Sequence, residues 1–231
     1  MTSSVNSYSA DTLHMYSYFR SSCSGRLRIA TALKGLPVKY TYVNLLSSAQ
    51  KSPSYVQDTN PSGSVPTLEL ISPDQIVKVR ICQSTAALEF LDEAYPESAQ
   101  LLPADPESRA TVRTLVQIIN SDVQPVTNLR IMKRVKCLGG DPETWNHELI
   151  TDGLKAYESI CKKVAGKYSV GDSVTIADCC LVPAVWGAQR VKVDFSAMPT
   201  LWAVFERLSE LEEVKNSHWK NQADTPKELR N

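Results

Sequence analysis

The hydrophobic spacing of this chain changes period once, in a proline-rich stretch between residues 96 and 106. Before it, short alternating segments are interleaved with helical ones. After it, apolar residues recur every 3.6 positions and no convincing strand follows. Pro96, Pro103 and Pro106 each lack a backbone donor and fix φ, so the stretch reads as a boundary between elements. A length of 231 residues allows two domains of ordinary size. The expectation is a Ser-rich disordered leader over 1–11, an α/β domain over 12–96 and an all-helical domain over 106–231.

The first domain can be read in order. Residues 12–18 form a strand rich in aromatic and apolar side chains. A Ser-Ser-Cys-Ser loop (21–24) follows, then a helix with Leu27, Ala30 and Leu33 on one face. Gly35 and Pro37 stop that helix, as a glycine just past the end and a following proline do. Residues 38–44 alternate, with Val38, Tyr40 and Tyr42 on one face. Strand, helix and strand make a parallel βαβ unit. Two more strands, 67–71 and 76–82, flank a Ser-Pro-Asp-Gln turn and form a hairpin, and an amphipathic helix covers 84–95. The plan is that of a thioredoxin-like domain: a mixed four-stranded sheet with helices against it.

In the second half one helix is expected over 107–135, with Val112, Leu115, Ile119 and Val123 inward and a kink at Pro125. Another spans 142–164. Thr175-Ile176-Ala177-Asp178 is a capping box in its Asp variant, opening a helix to about 191. A further helix covers 199–211, and the polar remainder wraps the surface.

Charge narrows the function classes. Twenty-five basic and 25 acidic side chains give zero formal net charge, without the basic excess of a nucleic-acid binder or a general pull toward an anionic membrane. No apolar run approaches the ~18–20 residues of a membrane span. The first eleven residues lack the basic and apolar regions of a secretory signal. Six cysteines (23, 82, 137, 161, 179, 180) form no CxxC pair and three histidines are scattered, so no metal site is expected. Reduced thiols in the cytoplasm are the simplest reading.

The chemistry concentrates in a few places. The 21–24 loop joins a strand end to a helix start, where unsatisfied N–H groups and the positive end of the dipole favour a thiolate. It either activates Cys23, or holds another molecule's thiolate through Ser21 or Ser22, or serves as a plain helix cap. Pro66 begins a strand, where its missing donor costs little. A cis bond there turns the Val65 backbone toward a peptide-like ligand; a trans proline in a turn is the ordinary alternative. Gln83 and Ser84 stand at a helix start, which caps the helix or holds a ligand carboxylate. Gln124 and Asn128, four apart, share a helix face that either lines a cleft or meets solvent. Arg130, Lys133, Arg134 and Lys136 read as a solvated basic face.

These residues together resemble a known family. Residues 18–24 (Tyr-Phe-Arg-Ser-Ser-Cys-Ser), Arg26 and Arg28-Ile29-Ala30 are similar to the signature of zeta-class glutathione transferases, the maleylacetoacetate isomerases. Asn60-Pro61, Val65-Pro66-Thr67-Leu68, Gln83-Ser84, Leu102-Pro103, Gln124-Pro125, Asn128-Leu129 and Val170-Gly171-Asp172 follow in the same order. Arg190, Lys192-Val193-Asp194 and Asp224-Thr225-Pro226 complete the likeness, which covers nearly all of the chain after the first ten residues.

The resemblance implies glutathione as cofactor, a small dicarboxylate as substrate and a homodimer. Ser21 and Cys23 orient the thiolate, and Ser22 and Arg26 complete that loop. Val65, before a cis Pro66, pairs with the cysteinyl backbone. Gln83 and Ser84 hold the γ-glutamyl end, and Gln50 (or Lys51 beside it) makes a further contact. Gln124 and Asn128 join from the helical domain, and Arg190 takes a substrate carboxylate. The implied reaction is cis–trans isomerisation by thiolate addition, rotation and elimination, which needs a stabilised thiolate and positive charge but little acid–base machinery. Alternatives are thiol transfer or dehydroascorbate reduction through Cys23, or action on maleylpyruvate or an α-halo acid. Gly25 stands where the family usually has Trp, the hairpin over 70–82 is longer than usual, and Arg130 replaces a small polar residue.

Overall fold

The computed structural model describes residues 8 and 10–230. They fall into two compact units: the chain up to Gln100 together with Glu212 onward, and Leu101–Leu211.

The first unit contains β1 (Thr12–Ser17), α1 (Ser22–Leu33), β2 (Val38–Tyr42), α2 (Pro53–Asp58), β3 (Thr67–Ile71), β4 (Val77–Ile81) and α3 (Ser84–Ala94). The sheet order is β2-β1-β3-β4. β1 runs parallel to β2, and the other two pairings are antiparallel. This is the mixed four-stranded sheet of the thioredoxin-like plan. Met15 lies between Tyr40 and Leu68 in the register. The strand period of two sends Leu13 and Met15 into the core and leaves His14 and Tyr16 half-buried on the other face. Leu27 and Ala30 of α1 and Leu88 and Leu91 of α3 are buried with Leu68 and Leu70, and α1 packs against α3. Gly35 ends α1 at φ +64°. Its N–H bonds to Ala32 O at 2.9 Å and that of Leu36 to Thr31 O at 2.9 Å, the paired bonds of a Schellman stop that a residue with a Cβ would disfavour.

Two features of this unit differ from the sequence reading. The leader expected over 1–11 lies mostly outside the described residues, but Tyr8 and Asp11 within it are engaged. The Tyr8 ring stands 6.0 Å from Phe90 and 6.4 Å from Tyr95, and Asp11 pairs with Lys78 at 2.8 Å. The polar C-terminal stretch, read as part of the helical domain, clusters instead with the sheet. Its helix, α10 (Glu212–Ser217), packs on α1, and Val214, Ser217 and Thr225 are buried.

The second unit is helical: α4 (Pro106–Gln117), a π-helical segment (Ile118–Val123), α5 (Gln124–Thr127), α6 (Leu129–Cys137), α7 (Pro142–Val164), α8 (Ile176–Arg190) and α9 (Pro199–Ser209). The single kinked helix expected over 107–135 is divided. Pro125 supplies no N–H, and its ring crowds the carbonyl one turn back; the widened π segment lies just ahead of it. Asn128 is extended (φ −78°, ψ 165°) and caps α6 as a new helix.

The capping box of α8 is present. Thr175 N–H donates to Asp178 Oδ2 at 2.7 Å, and Ala177 N–H donates to Thr175 Oγ1 at 3.3 Å. Asp178 Oδ1 also accepts the N–H of Ser169 at 3.0 Å, and the Tyr157 hydroxyl donates to Ser169 Oγ at 2.7 Å. One buried carboxylate thus ties a loop to a helix start. No helix among the described residues is long and apolar enough to cross a membrane.

Candidate active site

The site of the first unit is built around two helix starts. β1 ends at Ser17, and the chain turns through Tyr18, Phe19 and Arg20, with Ser21 N–H donating to Tyr18 O at 3.0 Å. Ser21 is the N-cap of α1, and its Oγ accepts the Ser24 N–H at 3.2 Å. A hydroxyl that accepts in this way keeps its own proton to donate, so the cap is also a donor to an anion at the helix terminus. Ser22 and Cys23 are half-buried, and the Cys23 thiol is unbridged. Ser24 Oγ is buried without a hydrogen-bond partner. Gly25 is buried in the first turn, its N–H on Ser21 O at 2.9 Å.

The second helix start is that of α3. Its N-cap, Gln83, makes no side-chain capping bond, so backbone N–H groups of the first turn lack that partner. Arg26 is 1% exposed and donates from Nη1 to Ser84 Oγ at 3.0 Å. This bond couples the two helix starts, each with the positive end of its dipole toward the loops.

Between them in sequence lies the turn that presents Val65. The Val65–Pro66 peptide is cis. Asn60 is fully buried. Its Nδ2 donates to Ser64 O and Thr67 Oγ1, each at 3.0 Å, and its Oδ1 accepts from Ser62 N at 2.9 Å. The Tyr55 hydroxyl donates to the same Ser64 carbonyl at 2.9 Å, and burial pushes the Tyr55 pKa up to about 12. Two donors therefore fix the carbonyl just before Val65. Gly63 has φ +54°, and a Cβ there would meet Lys51 Nζ at 2.8 Å. Lys51 Nζ is used on this turn, donating to Ser62 O at 3.3 Å, whereas Gln50 Oε1 is buried with no partner. Of the two neighbours weighed from sequence, Gln50 has the open acceptor.

The residues of the helical unit are placed differently from the sequence picture. Gln124 opens α5, and the helix ends at Thr127, so Gln124 and Asn128 do not share one continuous helix face. Asn128 Oδ1 accepts from Arg130 N and Ile131 N at 3.1 and 3.2 Å, and its Nδ2 donates to Pro125 O at 3.0 Å. One N–H of its amide is left for a ligand. Arg190 is the last residue of α8, with Nη1 on Trp186 O at 3.3 Å.

Sequence reasoning missed the framework behind these residues. Asn60 and Tyr55 hold the Val65 turn through the Ser64 carbonyl. The Asn-Pro dipeptide at 60–61 was the available signal, because buried Asn before a proline turn commonly bonds its own downstream backbone.

The donor set suits a tripeptide that carries a thiol and two carboxylates. It offers a capping hydroxyl at one helix terminus, an uncapped helix terminus bonded to it through Arg26, and a buried unpaired amide oxygen in Gln50.

Comparison with known proteins agrees with this chemistry. Residues 20–94 match the model of the glutathione S-transferase N-terminal domain, and residues 126–212 that of the glutathione S-transferase C-terminal domain. A maleylacetoacetate isomerase of Aspergillus fumigatus is 54% identical over 219 residues, covering 94% of each chain. The crystal structure of a maleylacetoacetate isomerase from Anaeromyxobacter dehalogenans with glutathione bound in the active site superposes with a TM-score of 0.85. It is 38% identical and covers 94% of this chain and 99% of that one. A bacterial zeta-class maleylpyruvate isomerase in its holo form has a TM-score of 0.85 at 35% identity, covering 92% and 100%.

Proposed function

This chain belongs to the zeta class of the glutathione S-transferase family, among the maleylacetoacetate isomerases, and we propose that it converts maleylacetoacetate to fumarylacetoacetate with glutathione as cofactor. The observation that carries the reading is the Ser21 cap of α1: its Oγ accepts the Ser24 N–H at 3.2 Å, which leaves its own proton available to hydrogen-bond a sulfur anion.

Bound glutathione supplies a thiolate that adds to the conjugated cis double bond and leaves after rotation about it. The protein's task is to keep that sulfur ionised and the partners aligned. Ser21 donates a hydrogen bond from its hydroxyl to the sulfur, with the α1 terminus adding its field and Ser22 and Cys23 lining the same turn. Lowering a thiol pKa by two units takes about 2.7 kcal/mol, the scale of a helix terminus plus a charge-assisted hydrogen bond. The Val65 backbone, beside Pro66, holds the cysteinyl peptide. Gln83 and Ser84 take the γ-glutamyl carboxylate, with Arg26 fixing Ser84. Gln50 supplies an acceptor for a ligand N–H. In the helical unit, Arg190 is assigned to a substrate carboxylate, and Gln124 and Asn128 to further polar contacts. The reading extends to a cytoplasmic homodimer acting in phenylalanine and tyrosine breakdown; the six unbridged cysteines suit a reducing compartment.

A second reading keeps the mechanism and changes the substrate to maleylpyruvate, favoured by the likeness to the bacterial maleylpyruvate isomerase. Steady-state assays of the purified protein on both substrates, with and without glutathione, decide. Turnover of maleylacetoacetate that requires glutathione supports the first reading. No turnover of it by protein that still binds glutathione removes the named reaction.

A further inference from the structure

We propose that Asp224 is a positioning residue for the thiolate loop, bracing the backbone of Phe19 from the far end of the chain so that Ser21 keeps its place at the start of α1. This rests on the reading of Ser21 as the thiolate donor.

The segment between β1 and Ser21 is held from two directions. One bond comes from 205 residues away: Asp224 Oδ2 accepts the Phe19 N–H at 2.8 Å. The carbonyl side of the same residue is held by Arg28, whose Nη2 donates to Phe19 O at 3.0 Å and whose Nη1 lies 3.5 Å from Tyr18 O. Tyr18 O is also the acceptor for Ser21 N–H. A carboxylate and a guanidinium thus clamp the two peptides that set the position of the Ser21 cap. Arg28 Nε bonds in addition to Ser217 O at 3.2 Å, so the same guanidinium grips the C-terminal segment.

Asp224 is itself held. The Arg230 guanidinium bonds the carbonyls on either side of it, Ala223 at 2.9 Å and Thr225 at 2.9 Å. The Thr225 hydroxyl closes onto Trp219 O. The Trp219 ring lies 6.4 Å from that of Phe19, against the cluster of Tyr18, Phe19, Val43, Tyr55 and Val65. Burial pushes the Asp224 carboxyl above its ordinary value, against the Phe19 N–H and Arg28, and its Oδ1 is buried without a partner. A tail needed only to cover apolar surface has no use for a half-buried carboxylate with one buried oxygen unsatisfied. One that must hold a particular peptide N–H does.

The test compares the full chain with Asp224→Ala, Asp224→Asn and Arg230→Ala. Amide hydrogen exchange over residues 19–24, without glutathione, reads the brace. The thiol pKa of enzyme-bound glutathione, from ultraviolet thiolate absorbance, reads its consequence. For Asp224→Ala we expect faster exchange in the loop, a bound-thiol pKa higher by about one unit and kcat lower by about tenfold. Asp224→Asn keeps an oxygen acceptor and recovers most of the loss. Arg230→Ala, at the surface, shifts both readouts the same way by less and serves alone if Asp224→Ala does not fold. Loss of the negative charge by itself lowers a nearby thiol pKa, so a rise reports geometry. An unchanged bound-thiol pKa in a folded Asp224→Ala or in Arg230→Ala overturns the proposal, as does an Asn variant no better than Ala. Wild-type protein that binds no glutathione counts instead against the functional reading, and the exchange result still reports on the brace.

Discussion

Arg26 donates from Nη1 to Ser84 Oγ at 3.0 Å within the core and so ties the N-terminal part of α1 to the first turn of α3. These are the starts assigned to the thiol and to the γ-glutamyl end of glutathione. One buried side chain that need not touch the ligand's sulfur joins them, in addition to the packing of α1 on α3. Replacing Arg26 with Met keeps much of the volume and removes the bond. The KM for glutathione should rise about tenfold, ~1.4 kcal/mol, with a smaller fall in kcat. Steady-state kinetics at saturating second substrate measure the split; an equal loss in kcat and none in KM would contradict the assignment.

Ser21 and Cys23 share a turn but differ in what they offer. Ser21→Ala removes both the N-cap and the hydroxyl donor. It should cost about 1 kcal/mol of stability by thermal or denaturant unfolding, and about 100-fold in kcat. Cys23→Ala should retain a substantial part of the isomerase activity, because the reacting sulfur belongs to glutathione. Complete loss in Cys23→Ala with Ser21→Ala mildly affected would point to the protein thiol as nucleophile.

Asp178 accepts from Thr175 N, Thr175 Oγ1 and Ser169 N and is 1% exposed. Asp178→Ala leaves these buried donors without acceptors and uncaps α8. A loss on the order of 3 kcal/mol is expected in equilibrium unfolding, far beyond that of a surface substitution. A loss under about 1 kcal/mol would show that water replaces the carboxylate without strain.

The exposed caps set part of the response to acid. Asp105 is held below the usual carboxylate value by the Ser108 N–H, Asp141 by the Thr144 side chain and the Glu143 and Thr144 N–H groups, and Asp194 by Ser196. A carboxyl whose native pKa is depressed stabilises the fold above its unfolded pKa and loses that contribution as pH falls through the native value. The Tm of Asp141→Ala should therefore lie below wild type at pH 7, and the gap should close in acid. A gap that is constant with pH would assign the cap no ionic component.

The elements with strong local signals were legible. The sheet and its hairpin follow from period-two runs between turn residues, the α7 bounds Pro142 and Val164 from a proline start and a steady helical period, and the α8 start from its capping box. What escaped reading depends on contacts between residues far apart in sequence. The polar tail looked like surface because its anchors are backbone carbonyls and one carboxylate, Asp224, whose partner lies 205 positions away. Pro125 marked a disturbance, but the break falls at Asn128, whose amide favours capping over continuation of the helix. The thiolate loop was visible as a strand-to-helix junction rich in hydroxyls. That Ser21 is its cap, that Lys51 is taken up by the Gly63 turn and that Gln50 keeps an open acceptor emerged only from the hydrogen bonds.

The central claim is that this protein isomerises its substrate through the thiolate of a bound glutathione. The most direct measurement is the conversion of maleylacetoacetate with glutathione, with S-methylglutathione and with neither. Rapid conversion with glutathione alone, and background rates in the other two, is the predicted result. Equal conversion with S-methylglutathione, whose sulfur has no proton to lose, would contradict it.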